Sequence, residues 1–229
     1  MLFNTILLFF LQGAPLDAEP GSESLLDIVL KSGTMGILIV MILLVLSAIA
    51  IYIFVERYLT INRASQVDDN FMNNIRLNVQ SSNIQGAIAL CQSTDSPMAR
   101  MVEKGLRRIG KPLDDINTAI VNVGNLEVFR LERNLSTLAS ISGAAPMIGF
   151  FGTVTGMIMA FMRMAQGNVK PEDLAGGIYQ ALLTTAFGLF VGIFAFIAYN
   201  LLVANMNKVL FKMEATSVEF IDLLQEPAV

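Results

Sequence analysis

The stretch GAAPMIGFFGTVTGMIMAF, from Gly143 to Phe161, carries no charge, yet it spends three central positions on glycine (Gly149, Gly152, Gly156) and adds Pro146, Thr153 and Thr155. A helix crossing the hydrocarbon core needs about 20 predominantly apolar residues. Lipid tails provide no hydrophobic force between helices, so close association in a bilayer uses small residues that let backbones approach. The composition of this stretch is that of a membrane helix built to pack against another helix.

The spacing sharpens that reading. Gly152, Gly156 and Ala160 recur every four residues, with Gly149 and Thr153 beside them. Downstream, Thr184, Gly188 and Gly192 repeat the interval, with Gly177, Gln180, Ala181 and Thr185 on nearby turns. Small-xxx-small spacing alone is common in helix bundles. The absence of charge adds weight: no Asp, Glu, Lys, Arg or His lies between Arg133 and Arg163, or between Asp173 and Lys208. The polar side chains at depth are chiefly Thr153, Thr155, Gln180, Thr184 and Thr185. A threonine hydroxyl can satisfy itself on the carbonyl one turn back. As a set, however, these residues place oxygens opposite the small-residue faces, as the lining of a cavity that takes water or another helix. The glycines are thus expected to thin the helices so that water or another helix fits beside them, with the threonines facing it. Such a lining contains no group that titrates at ordinary pH, so any acid that carries protons must come from elsewhere. Pro146 removes one backbone donor and is expected to kink or loosen its helix near the cytoplasmic mouth.

The whole chain agrees. Its 229 residues are 54% hydrophobic and 15% charged, with a mean hydropathy of +0.62 and a net charge of −4. The expected class is an all-α, three-span membrane protein with long helices extending into the cytoplasm. The spans are expected at 35–55, 136–162 and 176–204. Ten of the fifteen basic residues fall between the first two spans. That makes 56–135 cytoplasmic, 1–34 and the 163–175 turn outward-facing, and 205–229 a cytoplasmic helix or tail. With no histidine and a single cysteine, Cys91, neither an intrachain disulfide nor a Cys/His metal site is available. No concentrated basic face suggests nucleic acid. No intramembrane acid, histidine or nucleophilic cysteine suggests an enzyme. No cofactor is expected.

Residues 2–11 are too short to cross; a cleaved signal region and a retained, membrane-lying segment both fit. Ser24 and Asp27 have capping-box spacing, predicting an interfacial helix over 24–31. In the cytoplasmic region, Ile84–Cys91, Met98–Ile109 and Asp114–Leu138 read as helices. Val128, Leu131, Leu135 and Leu138 form a 3-4-3 seam, with Glu127, Arg130, Glu132 and Arg133 between. The seam predicts one helix from Asp114 to Met162, about 70 Å long. Cys91 reads as a small buried apolar residue, and Arg107-Arg108 as a solvated face or topology signal.

APMIGFFGTVTGMIMAF (145–161) followed by GGIYQALLTTAFGLFVGIFAFIAYN (176–200) resembles the MotA/TolQ/ExbB proton-channel family, on its ExbB/TolQ side. ALCQSTDSPMARMVEKGLRRIG (89–110) and LERNLSTLASI (131–141) are similar to segments of the same family, and the resemblance extends over roughly 25–225. It implies a homopentamer of three-span subunits around single helices of an ExbD-like or TolR-like partner. That partner's membrane aspartate takes and releases protons. It also implies an inner-membrane motor that energises a TonB- or TolA-type transducer. The family's pore threonines correspond to Thr153 and Thr185. Where ExbB and TolQ proteins carry a glutamate in the third span, this chain has Gln180. Either that carboxylate is dispensable or the ion path is modified, and coupling to protons or to sodium stays open. A passive membrane scaffold and a MotA-like stator subunit are the competing readings. The latter usually brings four spans and a larger basic cytoplasmic domain.

Overall fold

The computed structural model describes residues 33–65, 70–167 and 171–225. The expected segments 2–11 and 24–31 lie outside them. The described residues form seven helices: α1 (Gly33–Ser65), α2 (Phe71–Gln80), α3 (Ile84–Ser93), α4 (Pro97–Leu106), α5 (Leu113–Glu132), α6 (Leu135–Ala165) and α7 (Pro171–Gln225). Three stretches are long and apolar enough to cross a membrane, within Met35–Ser65, Leu113–Ala165 and Leu174–Gln225.

The long helices pack as a bundle, with α6 against α7 and α1 laid across both. The buried positions of α7 explain how. Ala181, Thr184, Gly188, Val191, Ala195, Ala198, Leu202, Met206, Val209, Met213, Phe220 and Leu223 are all buried. They follow a 3-4 rhythm with one extra residue between Leu202 and Met206, the pattern of a sustained helix-packing seam. At 55 residues, α7 is about 80 Å long, well over twice the hydrocarbon thickness. Small residues fill the seam where α6 approaches. Leu202, Met213 and Phe220 fill it toward its C-terminal end, where shorter helices pack on it.

Those shorter helices have clear local causes. The Ser96 hydroxyl accepts the Ala99 N–H at 3.1 Å from an extended backbone, and Pro97 occupies the first turn, which starts α4. Asn83 caps α3 by accepting the Gly86 N–H at 3.0 Å. Asp114 and Asp115 sit in the first turn of α5, where carboxylates complement the helix dipole. Met98, Val102 and Leu106 of α4 are buried with Ile116 and Ile120 of α5 and Phe220 of α7. At Gly105 an added Cβ would lie 2.5 Å from the Phe220 ring and 2.9 Å from Ile120 Cδ1, so the ring seats on a bare backbone. Cys91 is buried among these residues, and burial pushes its thiol up to about 12.

Two expectations change. The single helix over 114–162 is broken at Arg133-Asn134: Arg133 is extended and Asn134 adopts the left-handed conformation at φ +64°. Asparagine tolerates that region better than most residues, and the break sets the α6 direction independently of α5. The uninterrupted rod is α7 instead. Second, Glu127 lies on the buried seam of α5 (Ile116, Ile120, Gly124, Glu127, Leu131), at 3% exposure, rather than between seam positions. Its carboxylate accepts Arg100 Nη2 at 2.8 Å and Arg130 Nη1 at 2.6 Å, which ties α4 to α5.

Candidate functional site

The small residues of α6 and α7 face each other within one chain. A Cβ at Gly188 would lie 2.6 Å from the Ala145 carbonyl oxygen and 2.9 Å from Gly149 Cα. One at Gly149 would meet the Thr184 carbonyl oxygen at 2.8 Å, and the Cα atoms of Gly188 and Thr185 at 3.1 Å each. Gly152 lies against the Thr184 side chain, Gly156 against Ala181, and Gly177 against Ala160. Gly192 covers the Pro146 ring, with the Ser142 carbonyl 3.1 Å from where its Cβ would be. That carbonyl is the one whose helical donor Pro146 lacks, so the proline's irregularity is covered by backbone of α7. Within the chain, the glycines expected on helix-packing faces lie at the α6–α7 contact.

This approach brings three hydroxyls to one backbone oxygen. The Gly149 carbonyl has Thr185 Oγ1 at 3.0 Å, Thr184 Oγ1 at 3.3 Å and Thr153 Oγ1 at 3.4 Å. Thr184 is buried, and its hydroxyl has a better acceptor in the Ala181 carbonyl at 2.7 Å. Thr153 and Thr185 are hydrogen-bonded to each other across the two helices. Both are half-buried, so the pair keeps an open side. Thr155 bonds back to the Phe151 carbonyl at 2.9 Å, within its own helix and away from this cluster. Gln180 is half-buried one turn before Thr184. Thr153, Thr184 and Thr185 are thus brought together, with Gly149 as their common floor.

In the C-terminal half of α1, Arg57 is buried and was missed by sequence reasoning, which took it only as a topology signal. It pairs with Glu56, whose carboxyl that hydrogen bond holds below its ordinary range, and its Nη1 donates to the Arg130 carbonyl at 2.9 Å. The last carbonyls of a helix lack intrahelical donors, so Arg57 caps α5 just before the break at Arg133-Asn134. An arginine directly after an apolar span carries no local sign of this role.

Comparison with known proteins adds an independent line. Residues 93–215 match the MotA/TolQ/ExbB proton channel family. A putative biopolymer transport protein ExbB-like 3 of Synechocystis sp. is 30% identical over 173 residues, covering 74% of this chain and 80% of its own. The biopolymer transport protein ExbB of Neisseria meningitidis is 28% identical over 193 residues, with 77% and 86% covered. The Tol-Pal system protein TolQ of Haemophilus influenzae is 40% identical over a shorter 86 residues, 37% of this chain and 38% of its own.

Proposed function

The chain belongs to the MotA/TolQ/ExbB proton channel family, and from that premise we propose that it is the multi-pass subunit of an ExbB/TolQ-type motor in the inner membrane. Five copies surround single-span helices of an ExbD-like or TolR-like partner, whose membrane aspartate carries the proton. The motor draws on the proton motive force to energise a TonB- or TolA-type transducer for transport at the outer membrane. The N-terminus is periplasmic and the C-terminus cytoplasmic.

The observation that carries this reading is the Thr153–Thr185–Gly149 cluster. It is polar, half-open and at membrane depth, and the 134–162 and 174–207 stretches around it contain no ionisable Asp, Glu, Lys, Arg or His. A lining of this kind can serve a titrating group but cannot be one. The assembly has its own support. Phe129, Phe211 and Val218 are 75%, 72% and 61% exposed on helices that leave the membrane. Packing against further copies of the chain would remove these side chains from water. Native mass spectrometry of the complex, extracted gently from its own membranes, tests the reading. Five copies with two of a single-span protein bearing a membrane aspartate is the expected result. A homo-oligomer without such a partner, when neighbouring proteins are co-expressed, refutes it and favours a passive scaffold.

A further inference from the structure

The α5–α6 junction has a defined turn geometry. Arg133 has φ −51° and ψ 133°, and Asn134 has φ 64° and ψ −3°. A type II turn has its two central residues at about −60°, 120° and 80°, 0°. A type I turn, whose backbone runs on into a helix, differs at two torsions alone: ψ of the first residue and φ of the second. Those torsions flank one peptide plane. A half-turn of the Arg133–Asn134 plane therefore converts the junction into helix and leaves the flanking Cα atoms nearly in place. The packing already suits that outcome, since Leu131, Leu135 and Leu138 are buried in unbroken 4-3 spacing across the junction.

The hydrogen bonds show what opposes the half-turn. In a continuous helix the Asn134 N–H would donate to the Arg130 carbonyl, four residues back. Arg57 of α1 holds that carbonyl instead, through Nη1 at 2.9 Å, while its Nε donates to Glu56 at 2.6 Å. A guanidinium and an amide N–H share one oxygen poorly, because both present positive charge to it. Among the described residues, neither the Asn134 N–H nor the Arg133 carbonyl forms a backbone hydrogen bond. Asparagine tolerates the left-handed state that this orientation requires.

We propose that the Arg133–Asn134 peptide is a two-state switch and that Arg57 is its latch. While Arg57 holds the Arg130 carbonyl, α5 and α6 are separate helices. When Arg57 withdraws, the plane turns, the Asn134 N–H takes the carbonyl, and one helix runs from Leu113 to Ala165. Because α1 packs on α6 and α7, a shift of α1 relative to α5 sets the switch. It thereby joins α5 to the apolar α6 or frees one from the other. The switch goes beyond the motor reading and stands whether or not a partner is present.

Arg133-Asn134 is the one Arg-Asn pair in the sequence. Carbonyl-labelled arginine with amide-nitrogen-labelled asparagine therefore gives a single NMR cross-peak, from this peptide, in full-length protein reconstituted in vesicles. Hydrogen exchange of that amide, relative to its intrinsic rate, reads the switch: the latched N–H is open and the helical one is protected. Asn134→Gln, read at its equally single Arg-Gln pair, disfavours the left-handed state by about five- to thirtyfold, and exchange should slow to match. Arg57→Ala removes a charged donor, a shift of about ten- to a hundredfold in the same direction. Damage to the fold would speed exchange, so the sign separates the two effects. Arg57→Gln, which keeps much of the side-chain volume, serves where Arg57→Ala does not fold. Adding Asn134→Gly to the Arg57 variant, read at its single Arg-Gly pair, should return fast exchange, because glycine adopts the left-handed state freely. Protection in the unaltered protein, or no slowing in Asn134→Gln, overturns the switch. Slowing in Asn134→Gln with none in a folded Arg57 variant overturns the latch.

Discussion

Gly188→Ala puts one methyl group where α7 meets α6 backbone to backbone. The new Cβ would lie 2.6 Å from the Ala145 oxygen, 2.9 Å from Gly149 Cα and 3.1 Å from Gly149 N. Ordinary van der Waals separation is about 3.5 Å. All three neighbours are main-chain atoms, so no side chain can swing aside and the helices must part. Overpacking of this kind costs about 1–3 kcal/mol. Parting the helices also stretches the 3.0 Å Thr185–Gly149 hydrogen bond, whose loss adds about 1 kcal/mol. Together these correspond to a melting point lower by roughly 4–16 °C for a chain of this size. Cys91 supplies the assay: it is the single cysteine and is buried, so a thiol-reactive dye becomes fluorescent as the purified protein unfolds. Gly143→Ala is the matched control on α6, because a Cβ there meets nothing within 4 Å. Equal melting points for the two variants would refute the reasoning, since they differ in what the methyl group meets.

Three further outcomes are expected. Thr153→Val and Thr185→Val keep side-chain shape and remove the hydroxyls, and each should abolish proton-driven transport while leaving membrane insertion normal; intact energisation in both would rule out a polar lining. Glu127→Ala leaves Arg100 and Arg130 without their shared carboxylate and should cost about 1–3 kcal/mol, since both arginines are partly solvated; the cycle with Arg100→Ala should show coupling, and strict additivity of the two would contradict the buried network. The Cys91 thiol is held protonated in the folded protein, from an ordinary 9.0 up to about 12. Between those values the unfolded chain has released a proton that the folded chain retains, so stability present below pH 9 is lost as pH rises through this window. Alkaline melting curves of Cys91→Ala should lack this component, and identical pH slopes in the two proteins would count against it.

Much of the molecule was legible in the linear chain. Hydropathy located the three apolar stretches because crossing a bilayer requires a length of apolar chain that no local context disguises. The threonine and glycine positions were legible because helical spacing assigns residues to a face. The 3-4 rhythm from Ala181 to Leu223 was equally visible and would have identified α7 as the long rod, but the shorter seam from Val128 to Leu138 drew that inference to the wrong helix. The local hint of the break was Asn134 itself, a residue type that tolerates the left-handed region, but the 3-4 spacing running through it pointed to a continuous helix. A glutamate between apolar residues does not announce burial either. Glu127 is inside because Arg100 arrives from another helix to neutralise it.

What the sequence by itself determined is the set of faces: three helices able to cross a membrane, two of them striped with small and hydroxyl residues and empty of charge at depth. What only the tertiary structure decided is which face meets which. Periodicity orients a side chain around its own axis, but contact depends on a second helix tens of residues away. The Gly149, Gly156 and Gly188 faces close on one another in a single chain, at distances too short for any Cβ. That closure delivers Thr153, Thr184 and Thr185 to one carbonyl oxygen.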